Sequence, residues 1–138
     1  MGKLFRLILL LNILASTCIA QERDGSFKGT WQYKSDNYLF NIKIKELSDS
    51  SLIAQYSVVA ENGAKLDTPD EDASNIEFVR LDKSTKTLKV KLKSNYSGSI
   101  HYATFKLVDQ NTLEYSLGDA IIDDTYLYPY RKTILKRK

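Results

Sequence analysis

The apolar positions of this chain recur at every second residue. In YLFNIKIKE, residues 38–46, Phe40, Ile42 and Ile44 alternate with Asn41, Lys43 and Lys45. In TLKVKLK, residues 87–93, Leu88, Val90 and Leu92 alternate with Lys89, Lys91 and Lys93. Period two gives an extended strand one apolar and one wet face. Lysines on the wet face also discourage pairing with the edges of other chains. The same pattern predicts strands over residues 28–34, 38–46, 51–60, 75–82, 86–93, 99–108, 112–117 and 131–136. Short polar turn formers separate them, among them Ser35-Asp36-Asn37, Glu61-Asn62-Gly63, Lys83-Ser84-Thr85 and Asp109-Gln110-Asn111. No segment carries a helical stripe, and residues 47–53 and 119–128 leave room for a helical turn or two at most. Consecutive hairpins imply an all-β antiparallel meander of about eight strands. Such a meander buries its apolar faces most simply by closing into a β-barrel. An open sheet is the weaker alternative, because no helix is available to cover it.

The first twenty residues depart from this pattern. Lys3 and Arg6 precede an apolar run from Leu7 to Ile13, and small residues follow up to Ala20. That order marks a secretory signal peptide cut after Ala20, which leaves residues 21–138 as one barrel domain, secreted or periplasmic. The apolar run is short and holds Asn12, so it does not read as a membrane span. Cys18, the one cysteine, lies inside this segment. Ala15 and Thr17 stand where a lipid-attachment signal prefers Leu and a smaller residue, so a lipid anchor at Cys18 is disfavoured. Beyond Ala20 there is no thiol for disulfides or metal, and burial alone must hold the domain together.

Charge and motifs exclude more than they include. Without Lys3 and Arg6, basic and acidic residues nearly balance, so the tail RKTILKRK does not read as a nucleic-acid arm. Asp67, Asp70, Glu71 and Asp72 are rich in hard oxygen ligands. Their spacing departs from a calcium loop, however, and the stretch 66–75 reads as a solvated acidic loop around Pro69. His101 is the sole histidine, which excludes histidine-clustered zinc sites. It alternates with Ile100 and Tyr102, an arrangement that points it outward. Ser97 and Ser99 lack a nucleophile elbow, and Asp123-Asp124 are adjacent residues that a strand would send to opposite faces. With no acid, base and nucleophile set in view, the expectation is a protein that is not an enzyme and needs no metal or cofactor. Asn95-Tyr96-Ser97 fits a glycosylation sequon.

Aromatics are the remaining signal, with nine tyrosines and five phenylalanines. Phe40, Tyr56, Phe78, Phe105 and Tyr115 point inward if each strand keeps its alternation. They either line a cavity for an apolar ligand or fill the barrel solidly, and the sequence leaves both open. A filled interior with no mouth would exclude a ligand-holding role. The stretch GDAIIDDTYLYPY, residues 118–130, joins acids to an aromatic cluster and is a candidate cover for a barrel mouth.

The opening strand FKGTWQYKSDNYLF resembles the first strand of the calycins, the lipocalins and fatty-acid-binding proteins, which begin Gly-x-Trp. It is similar also to small secreted bacterial proteins with a Phe-x-Gly-Thr-Trp start. The resemblance implies a lipocalin-like β-barrel in which Gly29 permits a close approach, Trp31 plugs the closed end and Arg131 stacks on it. The helices that fatty-acid-binding proteins insert after their first strand have no counterpart here. The expected function is non-enzymatic binding of a small hydrophobic molecule. The alternative is a cell-envelope protein-interaction module whose contact surface is the 118–130 loop, with an envelope protein as partner. Neither nucleic acid nor a membrane span enters either reading.

Overall fold

The computed structural model describes residues 26–47, 51–71 and 73–138, so the expected signal segment, Cys18 and residues 48–50 lie outside the described residues. Nine strands form: β1 (Gly29–Ser35), β2 (Tyr38–Glu46), β3 (Leu52–Ala60), β4 (Lys65–Asp67), β5 (Ile76–Asp82), β6 (Thr87–Lys93), β7 (Ile100–Asp109), β8 (Thr112–Ile122) and β9 (Thr133–Arg137). Eight of them close a ring in the order β1-β2-β3-β5-β6-β7-β8-β9, and every neighbouring pair is antiparallel. The fold is therefore a closed antiparallel β-barrel with meander connections, consistent with a calycin-like architecture.

The alternation that predicted the strands also sets the core. Along β2 the buried residues are Phe40, Ile42 and Ile44, along β6 Leu88, Val90 and Leu92, and along β7 His101, Ala103, Phe105 and Leu107. His101 thus shares the parity of Phe105 and points inward, opposite to the reading from its immediate neighbours. β8 runs five residues beyond the expected Leu117, because irregularities in the β7–β8 register let Ile100 pair with Ile122. The stretch 66–75 is not wholly a surface loop. Lys65–Asp67 adds β4 to the end of β3, and Asp67 is fully buried.

The ring has one thin seam. β3 and β5 share a single backbone pairing, Ala54↔Ile76. Beside it the buried Asn75 side chain stands in for a strand. Its Oδ1 accepts the Tyr56 N–H at 2.8 Å and its Nδ2 donates to the Tyr56 carbonyl at 2.9 Å. Asp67 ties the same region to the β6–β7 turn. Its carboxylate accepts from the Tyr56 hydroxyl at 2.9 Å, the Ser94 hydroxyl at 2.8 Å and the Asn95 N–H at 2.9 Å. A buried carboxylate needs such donors, since desolvation without them is costly.

Candidate functional site

The two ends of the barrel differ in kind. At one end lie the start of β1, the β7–β8 turn and the finish of β9. There the fully buried Trp31 donates its indole N–H to the Phe27 carbonyl at 2.9 Å. The Arg137 guanidinium sits 4.2 Å from the centre of the indole. Arg137 also donates to the carbonyls of Gln110 at 2.7 Å, Ser26 at 3.0 Å and Lys28. Arg137 rather than Arg131 holds the stacking position. β9 begins only at Thr133, and its register sets Arg137 directly opposite Trp31, where paired side chains share a face. Arg131 precedes the strand, at the far end, with its guanidinium 5.2 Å from the Tyr130 ring centre.

The other end is crossed by residues 123–132, the link from β8 to β9. This strap makes no backbone-to-backbone hydrogen bond with the described residues. Barrel side chains hold it instead. The Tyr38 hydroxyl donates to the Leu127 carbonyl at 2.7 Å, the Tyr115 hydroxyl to the Pro129 carbonyl at 2.8 Å, and the Ser97 hydroxyl to the Thr125 carbonyl. Tyr128 turns inward, and its hydroxyl meets Ser99 Oγ at 3.0 Å and His101 Nδ1 at 2.6 Å. Tyr126 stacks on Tyr128 with 4.6 Å between ring centres and meets His101 edge-on at the same separation.

Burial keeps these phenols protonated. Desolvation pushes the Tyr38 and Tyr115 hydroxyls well above the usual tyrosine range, and Tyr128 up to about 12. Tyr56 rises by desolvation first and by the neighbouring Asp67 carboxylate second. All four hydroxyls are neutral at ordinary pH, and those of Tyr38, Tyr56 and Tyr115 donate. Burial lowers the His101 pKa, against a smaller opposing influence from Asp123.

Four of the five aromatics expected inside are fully buried and pack against one another, and none of the five lines the open cleft. Phe40 lies 5.2 Å from Tyr115 and 6.2 Å from Tyr56, and Phe105 lies 6.2 Å from Tyr115, measured between ring centres. These four are at most 1% exposed. Phe78 is half-buried, because its strand runs beside the thin seam and bulges at the next residue. Open volume is found elsewhere. β1 and β9 pair only at Trp31↔Arg137 and Gln32↔Lys136, and beyond Gln32 the two strands part. There a cleft of about 810 Å³ opens between Tyr33, Ser35 and Tyr38 on one side and Thr133 and Ile134 on the other, with the strap as its floor.

Sequence reasoning missed Tyr33 and Tyr38 as lining residues. The alternation that buries Trp31 does send Tyr33 inward, yet Tyr33 stays 36% exposed because its neighbour strand has diverged. The 118–130 stretch divides in two. Residues up to Ile122 belong to β8, Tyr126 and Tyr128 face the barrel, and Tyr130 is 69% exposed. Among the described residues no group of histidine, cysteine and carboxylate side chains is placed to hold a metal, and no helix is long and apolar enough to cross a membrane. In comparisons with known proteins, no family, curated protein or solved structure matches the chain.

Proposed function

We propose that this protein is a non-enzymatic β-barrel, secreted or periplasmic, that holds a small apolar ligand in the cleft between β1, β9 and the strap. One observation carries the reading. The cleft has the volume of a small-molecule site, in the range of about 300–1,000 Å³, and five tyrosines line it: Tyr33, Tyr38, Tyr126, Tyr128 and Tyr130. Aromatic walls with a few polar tips suit an apolar ligand whose orientation is fixed by hydrogen bonds. The basic, apolar and small order of residues 1–20 supports export.

Native mass spectrometry of the protein taken from its own compartment tests the ligand, and fluorescence titration with phenylnaphthylamine tests the cleft. Saturable binding that weakens in Tyr33→Ala and Tyr130→Ala is the expected result. An absence of both a bound small molecule and saturable probe binding would overturn the reading. Fractionation of cells expressing the full chain tests export, and a purely cytoplasmic signal would refute it.

A further inference from the structure

The cleft carries charge of one sign. Arg131 and Lys132 line it, and no Asp or Glu does. Lys132 is answered by Glu114 at 3.3 Å. Arg131 makes no ion pair among the described residues, and its one aromatic neighbour is the exposed ring of Tyr130. A guanidinium presents a planar fork of donors that matches the oxygens of a carboxylate, sulfonate or phosphate. Beside it the lining is more aromatic than aliphatic. Against five tyrosines stand Leu127, Ile134, Ala60 and Pro129. Ring against ring gains attraction beyond the area buried, through the quadrupoles of both partners, and an alkyl chain does not.

We infer that the cleft selects a flat aromatic molecule bearing one anionic group, with its ring among the tyrosines and its anion at Arg131. The inference rests on the ligand-binding reading above and names its chemical class. The strap supplies both halves of this recognition, since Tyr126, Tyr130 and Arg131 lie within six consecutive residues of it. Specificity is thereby carried by a segment that side chains, rather than strand ladders, hold in place.

Two probes with the same ring skeleton separate charge from shape. Anilinonaphthalene sulfonate carries an anion, and phenylnaphthylamine carries none. Fluorescence titration at low ionic strength should show the sulfonate binding roughly tenfold more tightly, as expected for a hydrogen-bonded charge. Arg131→Gln, at an exposed site, should close that gap. Glu114→Gln, which frees Lys132, should widen it. Amide shifts in nuclear magnetic resonance spectra should be confined to residues 33–38 and 126–134, which separates cleft binding from adhesion to loosened protein. Dodecanoate, an aliphatic anion, should compete weakly. Equal affinity for the two probes, or a gap that survives Arg131→Gln, would overturn the anionic assignment while leaving a ligand cleft in place. Strong displacement by dodecanoate would overturn the aromatic one. Failure of both probes to bind, together with no bound small molecule in native mass spectrometry, would remove the ligand reading itself.

Discussion

The guanidinium of Arg137 lies over the indole of Trp31 at 4.2 Å while its nitrogens bond the carbonyls of Ser26, Lys28 and Gln110. One side chain thus seals the barrel end, holds the segment before β1 and joins it to the β7–β8 turn. A lysine can sit over an aromatic face, but only the planar guanidinium stacks flat on it while donating through a fork of nitrogens.

Removing the indole tests this end of the barrel. Trp31→Ala leaves a cavity in a fully buried site and should destabilise the fold by about 3–5 kcal/mol. Urea denaturation followed by circular dichroism measures it. A loss below about 1 kcal/mol, as at surface sites, would show that Trp31 is not a plug.

Gly29 and Arg137 should prove coupled. Gly29 has φ +129°, a conformation side chains rarely adopt, and a Cβ there would stand 2.5 Å from Arg137 Nη1. Gly29→Ala should therefore cost about 1–3 kcal/mol from backbone strain, plus whatever Arg137 loses by moving aside. In an Arg137→Ala background only the strain remains, and the second substitution should cost less. Additive losses in a double-mutant cycle would deny the coupling.

Asp67→Asn keeps the shape but turns an acceptor oxygen into a donor facing the Tyr56 and Ser94 hydroxyls or the Asn95 N–H. The expected cost is about 1–3 kcal/mol, the desolvation penalty of groups left unsatisfied. Thermal unfolding of the variant reads it directly, and an unchanged midpoint would mean the hydroxyls find other partners.

Acid should weaken the fold through His101. Burial lowers its pKa below the ordinary value of 6.5, so between the folded and unfolded values the unfolded chain binds the extra proton. This contribution is fully present above about pH 6.5 and is lost as pH falls through the window beneath it. Asp123 opposes the shift, while Tyr126 and Tyr128 pack on the ring without carrying charge. Stability measured from neutral pH downward in the native protein and in His101→Gln should diverge below that value. Parallel curves would remove His101 from the account.

The strands were legible because alternation is a property of neighbours. Tyr38–Glu46 forms as its pattern indicates, and the inward positions of Phe40, Tyr56, Phe105 and Tyr115 follow from parity alone. What escaped depends on register between distant segments. Arg131 precedes the last strand and Arg137 ends it, and only the pairing Trp31↔Arg137 decides which one meets the indole. β4 is three residues long, too short for period two to show, and Asp67 looks like one more acid of a polar loop until β3 lies beside it. The cleft exists because β1 and β9 stop pairing after two residues, a geometry that no local pattern records.

Closure between β1 and β9 also has a bearing on the order in which the molecule assembles. A meander joins most neighbours through short turns, whereas this clasp links Lys28 to Arg137, 109 residues apart in the chain. Contacts across so long a loop cost the most chain entropy to bring together, which makes the clasp a natural last step of folding. Trp31 is the sole tryptophan and lies at that junction. Its fluorescence is thus a built-in clock for the moment the sheet becomes a ring.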